Sequence, residues 1–145
     1  MKISTKGRYA IRMMADLAIQ DAEACIPLRD IAARQNISIK YLEQITALLN
    51  KAGMLISIRG NNGGYRLSRK PNEYTIGDIL RVTEGNLTPV SCVVTGQCEG
   101  NSGNACLTRR FWHGLYACIN DYVDHYTLAD LIADHQSPAP DGQKG

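Results

Sequence analysis

No stretch of this 145-residue sequence is apolar over the length that a membrane-spanning helix needs. Its first residues are rich in Lys, Ser and Arg, and they lack the apolar segment of a secretory signal peptide. We therefore expect a cytoplasmic protein that does not interact with membranes. In that compartment the five cysteines are expected to be reduced thiols or metal ligands rather than structural disulfides.

The sequence also lacks the residue patterns of common catalytic sites. It contains neither a phosphate-binding loop nor a paired nucleophile and base, and its three histidines are scattered through the C-terminal half. Its cysteines lack the close pairs of a zinc finger. We therefore expect that the protein is not an enzyme. A small iron–sulfur redox enzyme or electron carrier is the remote alternative.

Charge is unevenly distributed along the chain. Residues 1–85 contain 13 Lys and Arg against 8 Asp and Glu, whereas residues 86–145 contain 3 against 6. The net charge of +2 therefore combines a basic front part with an acidic back part. Because phosphate neutralisation requires positive charge, the front part is the candidate for nucleic-acid binding.

A helix-turn-helix pattern lies at the centre of the basic part. A short helical pattern starts near Pro27, and after a short turn a second pattern runs from Ser38 to Gly53. Ser38 can cap this second helix, and Gly53 can end it in a left-handed conformation. The expected inward face of the second helix comprises Tyr41, Leu42, Ile45, Leu48, Leu49 and Ala52. Its outward face, which carries cations, comprises Lys40, Glu43, Ala47, Asn50 and Lys51.

A β-hairpin is predicted directly after this helix. Residues 55–59 form a β-branched run, residues 60–64 are Gly and Asn, and residues 65–68 form a second short strand. A helix-turn-helix followed by a hairpin is a winged helix. Winged helices typically bind double-stranded DNA with the second helix in the major groove and the wing over the adjacent backbone or minor groove. The alternative is that these elements only build a core or an interface.

Further helices surround this unit. They are predicted over residues 5–19, 75–83, 107–126 and 127–135. The third is long and amphipathic, with an apolar stripe of Phe111, Leu115, Cys118 and Tyr122, so Cys118 is expected in a core. A long helix that trails a small body has little of its own chain to pack on, and we expect it to pair with a second copy in a two-fold dimer. The predicted fold is mainly α with a small β-hairpin wing, a winged helix-turn-helix plus a long C-terminal dimerisation helix.

Three cysteines lie within 15 residues behind the winged helix: Cys92, Cys98 and Cys106. The residues between the last two are rich in Gly and Asn, so the chain can wrap around a small group. Thiolates at irregular spacing can each reach a different iron of a cluster. We therefore predict an iron–sulfur cluster, either [2Fe–2S] or [4Fe–4S], which needs a further ligand. The alternatives are zinc and a cluster-free thiol/disulfide sensor.

These patterns divide the chain into four segments. Residues 1–85 are the predicted winged helix-turn-helix DNA-binding domain, and residues 86–107 the cysteine-rich cluster-binding loop. Residues 108–135 supply the dimerisation helix and a short terminal helix. Residues 136–145 are polar, contain Pro and Gly, and are expected to form a disordered tail.

Several segments together resemble the family of IscR, NsrR and CymR, which are dimeric winged-helix bacterial regulators. The segments are residues 2–10, 40–45, 57–65 and 126–131 and the three closely placed cysteines, so the resemblance covers residues 1 to about 135. It implies a homodimer that binds a palindromic DNA operator, with the state of a cluster controlling which sites are occupied. Whether operator binding represses or activates is left open.

The resemblance also implies roles for individual residues. The second helix would supply major-groove contacts and phosphate contacts at the groove edge, and the wing would enter the minor groove. The residues implied are Lys40, Glu43 and Gln44 for the major groove, Ser38 and Tyr41 for its edge, and Arg59 with Gly60 for the minor groove. The three closely placed cysteines match the cluster ligands of the family.

The fourth ligand departs from the family pattern. IscR-like members have a His three residues after the last cysteine, where this sequence has Arg109. NsrR-like members take a carboxylate from the partner's first helix, where this sequence has Arg8. The other donors are His113, Glu99, Asp16 of the partner subunit, a small thiol or a water, and we rank an external or partner-supplied donor above His113. CymR-like members lack the cysteines and fit this chain less well.

Overall fold

The structure is a computed structural model that describes residues 2–96 and 106–137. These ranges contain helices α1 (Thr5–Ala18), α2 (Leu28–Gln35), α3 (Ile39–Lys51), α4 (Ile76–Glu84), α5 (Cys92–Thr95), α6 (Arg109–Asp124) and α7 (Leu128–Gln136). Strands β1 (Leu55–Ile58) and β2 (Gly64–Leu67) form a hairpin between α3 and α4, and a 3-10 turn covers Pro71–Glu73. Within the described ranges, no helix has the length and apolar character needed to cross a membrane. The predicted tail lies outside these ranges from residue 138 onward.

The longer helices begin where the sequence supplies a capping side chain. The hydroxyls of Ser4 and Ser38 each accept a hydrogen bond from the amide three residues on, at 3.2 and 3.1 Å. Thr75 and Thr127 each form a reciprocal capping box with an aspartate three residues on. These predicted helix starts are confirmed. Pro27, near which the first pattern is predicted to start, occupies the cap position of α2.

The core is formed where α1, α2, α3 and α4 meet. Its largest fully buried side chains are Tyr74, Met13, Met14, Ile31, Leu42, Ile45, Leu49, Ile79 and Leu128. The predicted inward face of α3 is therefore confirmed at its centre. At its margins Ala52 is exposed and Thr46 is buried instead. Burial of Thr46 is tolerated because its hydroxyl donates to the carbonyl of Glu43 at 2.9 Å.

Helix α7 packs onto the winged-helix body, which we define as α1–α4 with the hairpin. Leu128 is fully buried, and its amide donates to the carbonyl of Tyr74 at 3.1 Å. The amide of Ile76 in turn donates to the carbonyl of Tyr126 at 2.7 Å. The sequence predicts this helix as part of the dimerisation segment, whereas the structure anchors it in the core of the body.

The hairpin is antiparallel, with Cα partners from Leu55 and Leu67 at its base to Ile58 and Gly64 near its tip. The predicted wing is therefore present, with its second strand starting one residue earlier than expected. A third segment joins it where Tyr65 exchanges two backbone hydrogen bonds of 2.9 Å with Ile26, just before α2. The wing is thereby tied to the start of the helix-turn-helix.

Helix α6 is attached to the body through α4. The guanidinium of Arg81 donates to both carboxylate oxygens of Asp124, at 2.6 and 3.0 Å, and to Asn120 at 2.8 Å. The hydrogen bond to Asp124 raises the pKa of Arg81 above its usual value. Gly77 permits this close approach, because a Cβ there would lie 2.2 Å from Oδ1 of Asp124. A hydrogen-bonded ion pair thus joins α6, near its C-terminal end, to α4.

Tyr74 connects the two ends of the wing. Its ring is fully buried, and its hydroxyl donates to the carbonyl of Met54 at 2.7 Å. The same oxygen accepts hydrogen bonds from the amides of Ser68 at 2.9 Å and Arg69 at 3.0 Å. One phenol oxygen thus satisfies three backbone groups that border the hairpin.

We predict that Tyr74→Phe destabilises the fold by about 1–3 kcal/mol, because the buried hydrogen bond to the Met54 carbonyl and the two amide hydrogen bonds from Ser68 and Arg69 are lost. Urea unfolding followed by circular dichroism measures this loss. The matched control is Tyr9→Phe, which removes the same hydroxyl from a half-buried ring whose described contacts are with the rings and cations around it. Equal stability of the two variants would show that the Tyr74 hydroxyl contributes nothing.

Candidate nucleic-acid interface and cysteine segment

The first turns of α3 present polar side chains to solvent. Lys40, Glu43 and Gln44 are all exposed, while the opposite face of the helix is buried in the core. In helix-turn-helix proteins the N-terminal residues of the second helix reach base edges in the major groove. The structure thus places these three predicted residues together on a surface of suitable shape and chemistry.

The residues at the start of α3 are arranged differently. Ser38 is exposed, but its hydroxyl is engaged in capping the helix. Tyr41 is half-buried, and its ring meets the ring of Tyr9 edge-on at a centroid distance of 5.5 Å. A helix N-terminus carries a partial positive charge from its amides, so this end of α3 favours a phosphate nearby.

The tip of the wing carries an exposed cation. Arg59 and Gly60 are both exposed, and the Arg59 guanidinium forms no hydrogen bond or salt bridge within residues 2–96 and 106–137. An open groove lies between the wing and α3, and Glu43 and Asn50 line it together with Arg59. An exposed guanidinium beside a groove next to α3 is well placed to contact phosphates of a DNA backbone or to enter a minor groove.

Arg29 is a cation of this groove that the sequence analysis did not single out. It lies in the first turn of α2, its side chain is 76% exposed, and it lines the same groove as Arg59. Its contact with Asp30 is long, at 3.9 Å. The sequence contained one indication of this role. Arg29 lies in the first turn of a predicted helix, where a cation is unfavourable beside the positive end of the helix dipole unless an anion binds nearby.

Gly64 permits the wing to pack against the start of α2. A Cβ at this position would lie 2.4 Å from the carbonyl carbon and oxygen of Ile26. Those atoms belong to the backbone pair between Ile26 and Tyr65 that ties the wing to the helix-turn-helix. Only a residue without a Cβ fits here.

We predict that Gly64→Ala separates the wing from α2, because backbone atoms cannot yield as a flexible side chain can. Hydrogen exchange should then become at least about tenfold faster at the amides of Ile26 and Tyr65. Gly114→Ala in α6 is the control, since a Cβ there meets nothing within 4 Å and the backbone is helical. Unchanged protection in Gly64→Ala would contradict the tight packing.

The cysteine segment is described at its two ends. Cys92 begins α5 and is half-buried, and α5 contacts α6. Cys106 is half-buried just before α6, with its Sγ 3.4 Å from the hydroxyl oxygen of Thr108. Cys98 lies outside the described residues. The sequence predicts a loop here, whereas residues 92–95 form one helical turn that ends at Gly96 in a left-handed conformation.

The two described thiols, those of Cys92 and Cys106, are chemically suited to bind an iron–sulfur cluster. Across residues 2–96 and 106–137, no group of three or more His, Cys, Asp or Glu side chains is close enough to hold a metal ion. Cys92 lies on an element that contacts α6, and Cys106 directly precedes that helix. Two half-buried thiols on adjoining segments are soft donors of the kind that iron–sulfur clusters use.

The candidate fourth ligands separate into different environments. His113 is exposed, and the Nε–H of Arg109 donates to its Nε2 at 3.5 Å. Asp16 is only 2% exposed, and its oxygens accept hydrogen bonds from Arg34 and Gln35. The suggestion that Asp16 serves a cluster in a second subunit is therefore wrong, because its carboxylate is enclosed within its own chain. Glu99 lies outside the described residues.

Helix α6 keeps an apolar face without cover in the described chain. Phe111 is 64% exposed, and Leu115 and Tyr122 are exposed as well. Cys118 is exposed too, so its predicted place in a core is wrong for the single subunit. It lines a shallow apolar depression of about 350 Å³ with Ile3, Leu80, Leu87, Ile119, Tyr122 and Val123.

The exposed polar face of α3, the cationic wing and the core beneath them define a winged-helix transcription regulator. The model of the Rrf2 family, described as an iron-dependent transcriptional regulator, matches residues 3–134. The chain belongs to the Rrf2 family. The predicted family and the predicted fold class are both confirmed.

Individual relatives agree with this assignment. The chain is 38% identical over 136 residues to the HTH-type transcriptional regulator IscR of Vibrio parahaemolyticus, covering 94% of this chain and 80% of that protein. The structure of CymR, the global cysteine regulator of B. subtilis, is 38% identical with a TM-score of 0.80, covering 94% of this chain and 99% of that one. The structure of T. potens IscR is 37% identical with a TM-score of 0.75, covering 97% and 94%.

Proposed function

We propose that this chain is a sequence-specific DNA-binding regulator that senses iron–sulfur, redox, iron or nitric oxide status through a cysteine-bound iron–sulfur cluster. It acts in the cytoplasm as a homodimer on a palindromic operator. The observation that carries the proposal is the exposed surface of α3 and the wing in a chain of the Rrf2 family. The half-buried thiols behind that surface supply the site for the cluster.

The DNA-binding surface divides its work between two elements. Lys40, Glu43 and Gln44 are exposed on α3 and face base edges in the major groove. The positive end of α3, with Ser38 and Tyr41, faces phosphates at the groove edge. The wing, with Arg59 and Gly60, enters the minor groove, where a narrow A·T-rich groove attracts a guanidinium most strongly.

Dimer formation explains the uncovered face of α6. Exposed Phe111, Leu115 and Tyr122 lie on a helix that is held to its own body from α4. A second copy of this face buries them by a two-fold axis, as in most homodimers. Two recognition helices are then held at the spacing of two half-sites, about 34 Å along the DNA.

The cluster would be held by Cys92, Cys98 and Cys106. When bound, it supplies a group whose charge and integrity change with oxidants, nitric oxide or iron supply. The fourth donor comes from outside these three thiols. Asp16 is enclosed, and Arg109 has no lone pair to offer. His113 lies seven residues after Cys106, about 10 Å along a helix axis, so an external or partner-supplied oxygen or thiol ranks above it. An exchangeable donor leaves one iron open to small molecules, which suits a sensor.

The second candidate is a regulator without a cluster, in which the thiols bind zinc or form a disulfide. The fold alone does not require a cluster, since the structure of CymR matches this chain with a TM-score of 0.80. Colour separates the two candidates. Thiolate-to-iron absorption in anaerobically purified protein excludes both zinc and simple thiols.

We predict that Arg59→Ala weakens operator binding by about 1–3 kcal/mol, the scale of one good base contact. Fluorescence anisotropy with an operator selected in vitro measures the change. Arg59→Lys is the matched control, since it keeps the charge but loses the planar guanidinium. If Arg59→Ala binds normally while Lys51→Ala abolishes binding, the wing is not the reading element.

We predict that Phe111→Ala or Leu115→Asp converts the dimer to monomers and sharply weakens operator binding, because the second half-site is lost. Light scattering at micromolar concentration measures the mass. Ile19→Asp is the control, because Ile19 is 59% exposed but lies at the end of α1. A wild-type protein that is monomeric at this concentration would contradict the prediction.

We predict that alanine at any one of the three ligand cysteines, Cys92, Cys98 or Cys106, abolishes the cluster. Each removes a thiolate that no neighbouring donor replaces. Visible absorption after anaerobic reconstitution measures cluster content.

The controls for this series are Cys25→Ala and Cys118→Ala, which should retain the cluster, because Cys25 precedes α2 and Cys118 lies in the depression on α6. His113→Ala tests the fourth position and should also retain colour. If it bleaches the protein while the dimer persists, His113 is the ligand.

A further inference from the structure

Asp16 is a buried carboxylate that neither the DNA-binding surface nor the cysteine segment uses. It lies in α1 and is 2% exposed. A buried carboxylate is costly unless it is paired and hydrogen-bonded, so its partners indicate what it holds in place.

Both partners of Asp16 come from the C-terminal end of α2. Arg34 donates from Nε to Oδ2 at 3.0 Å and from Nη2 to Oδ1 at 2.7 Å, which is a two-pronged pair. Gln35 donates from Nε2 to Oδ2 at 2.8 Å. The hydrogen bond with Asp16 raises the pKa of Arg34 above its usual value. Three hydrogen bonds thus fix the last two residues of α2 to α1.

Arg12 lies one turn earlier in α1 and contacts the same end of α2 from the protein surface. Its Nη2 donates to the backbone carbonyl of Gln35, and its Nε donates to the Gln35 side chain at 3.2 Å. The carbonyls of the last turn lack partners within the helix, so this contact also satisfies the helix end. The Arg12 guanidinium lies 5.2 Å from the ring centroid of Tyr9, which packs on Tyr41 of α3.

The turn that follows leaves little freedom between this end of α2 and α3. Asn36 has a left-handed conformation with φ 53°, and Ile37 is buried with its amide bonded to the carbonyl of Ala32 at 3.1 Å. Ser38 then caps α3. Because this turn is restrained, holding Gln35 in place also holds the first turn of the recognition helix α3 in place.

We propose that Asp16 is a positioning residue for DNA recognition, which fixes the angle at which α3 enters the major groove. The inference rests on the proposed function, since it concerns the same DNA surface. Base-edge hydrogen bonds tolerate displacements of only about 0.5 Å, whereas phosphate attraction acts over a longer range. Loss of the carboxylate therefore reduces discrimination between sequences more than general DNA affinity.

The test compares two duplexes of equal length, an operator selected in vitro by the wild type and an unrelated sequence. Asp16→Asn should weaken operator binding about tenfold or more, on the scale of a disturbed base pair, and change unrelated-sequence binding less than about twofold. Glu23→Gln is the matched control. It also removes one negative charge, but from a side chain that is 87% exposed and paired with Arg66 at 3.1 Å.

Arg12→Met provides a second variant on an exposed side chain, in case Asp16→Asn does not fold. It should lower the ratio of the two affinities while the protein remains folded and keeps its dimer mass. If Asp16→Asn folds and keeps the wild-type ratio of operator affinity to unrelated-sequence affinity, as it would after an equal loss on both duplexes, the inference is overturned. If Asp16→Asn does not fold, the same result in Arg12→Met overturns it. Failure of the wild type to select any sequence would instead contradict the proposed function.

Discussion

Burial of one face of α3 against α1, α2 and α4 is the constraint on which the rest of the molecule depends. Leu42, Ile45 and Leu49 are fully buried, and burial of each such side chain is worth about 1.5–3 kcal/mol. That sum is comparable to the whole net stability of a small domain, about 5–15 kcal/mol. The same burial turns Lys40 and Glu43 outward, so the contact that stabilises the fold also creates the surface offered to DNA.

Helix α6 is built in the opposite way. Its attachment to the body includes the ion pair of Arg81 with Asp124, and its residues Phe111, Leu115 and Tyr122 remain exposed within the described chain. Exposed Phe111 and Tyr122 would be unfavourable in a monomer, so the proposed two-fold partner completes the structure. In sequence the cysteine segment connects α4 to α6, and its α5 turn contacts α6. Under the proposed function, a change at this turn reaches the dimer contact through α6.

Local patterns predicted much of the fold, because caps and helix faces depend on residues within a few positions of each other. The capping role of Ser38 and the hairpin after α3 belong to this group. Features set by distant contacts were not predictable. Asp16 finds Arg34 only once two helices cross, and Leu128 packs in the core from the far end of the chain. The apolar stripe of α6 was correctly recognised, but a stripe alone does not tell a core from a subunit interface, which is why Cys118 was misplaced.

The central claim is that one chain couples a thiol-bound cluster to operator recognition. The most direct measurement is the affinity for a selected operator before and after the cluster is removed from one anaerobically reconstituted preparation, with visible absorption recorded in parallel. Coupling predicts thiolate-to-iron absorption in the starting protein and a change of at least about fivefold in operator affinity when it disappears. A colourless reconstituted protein, or identical affinity with and without the cluster, would contradict it.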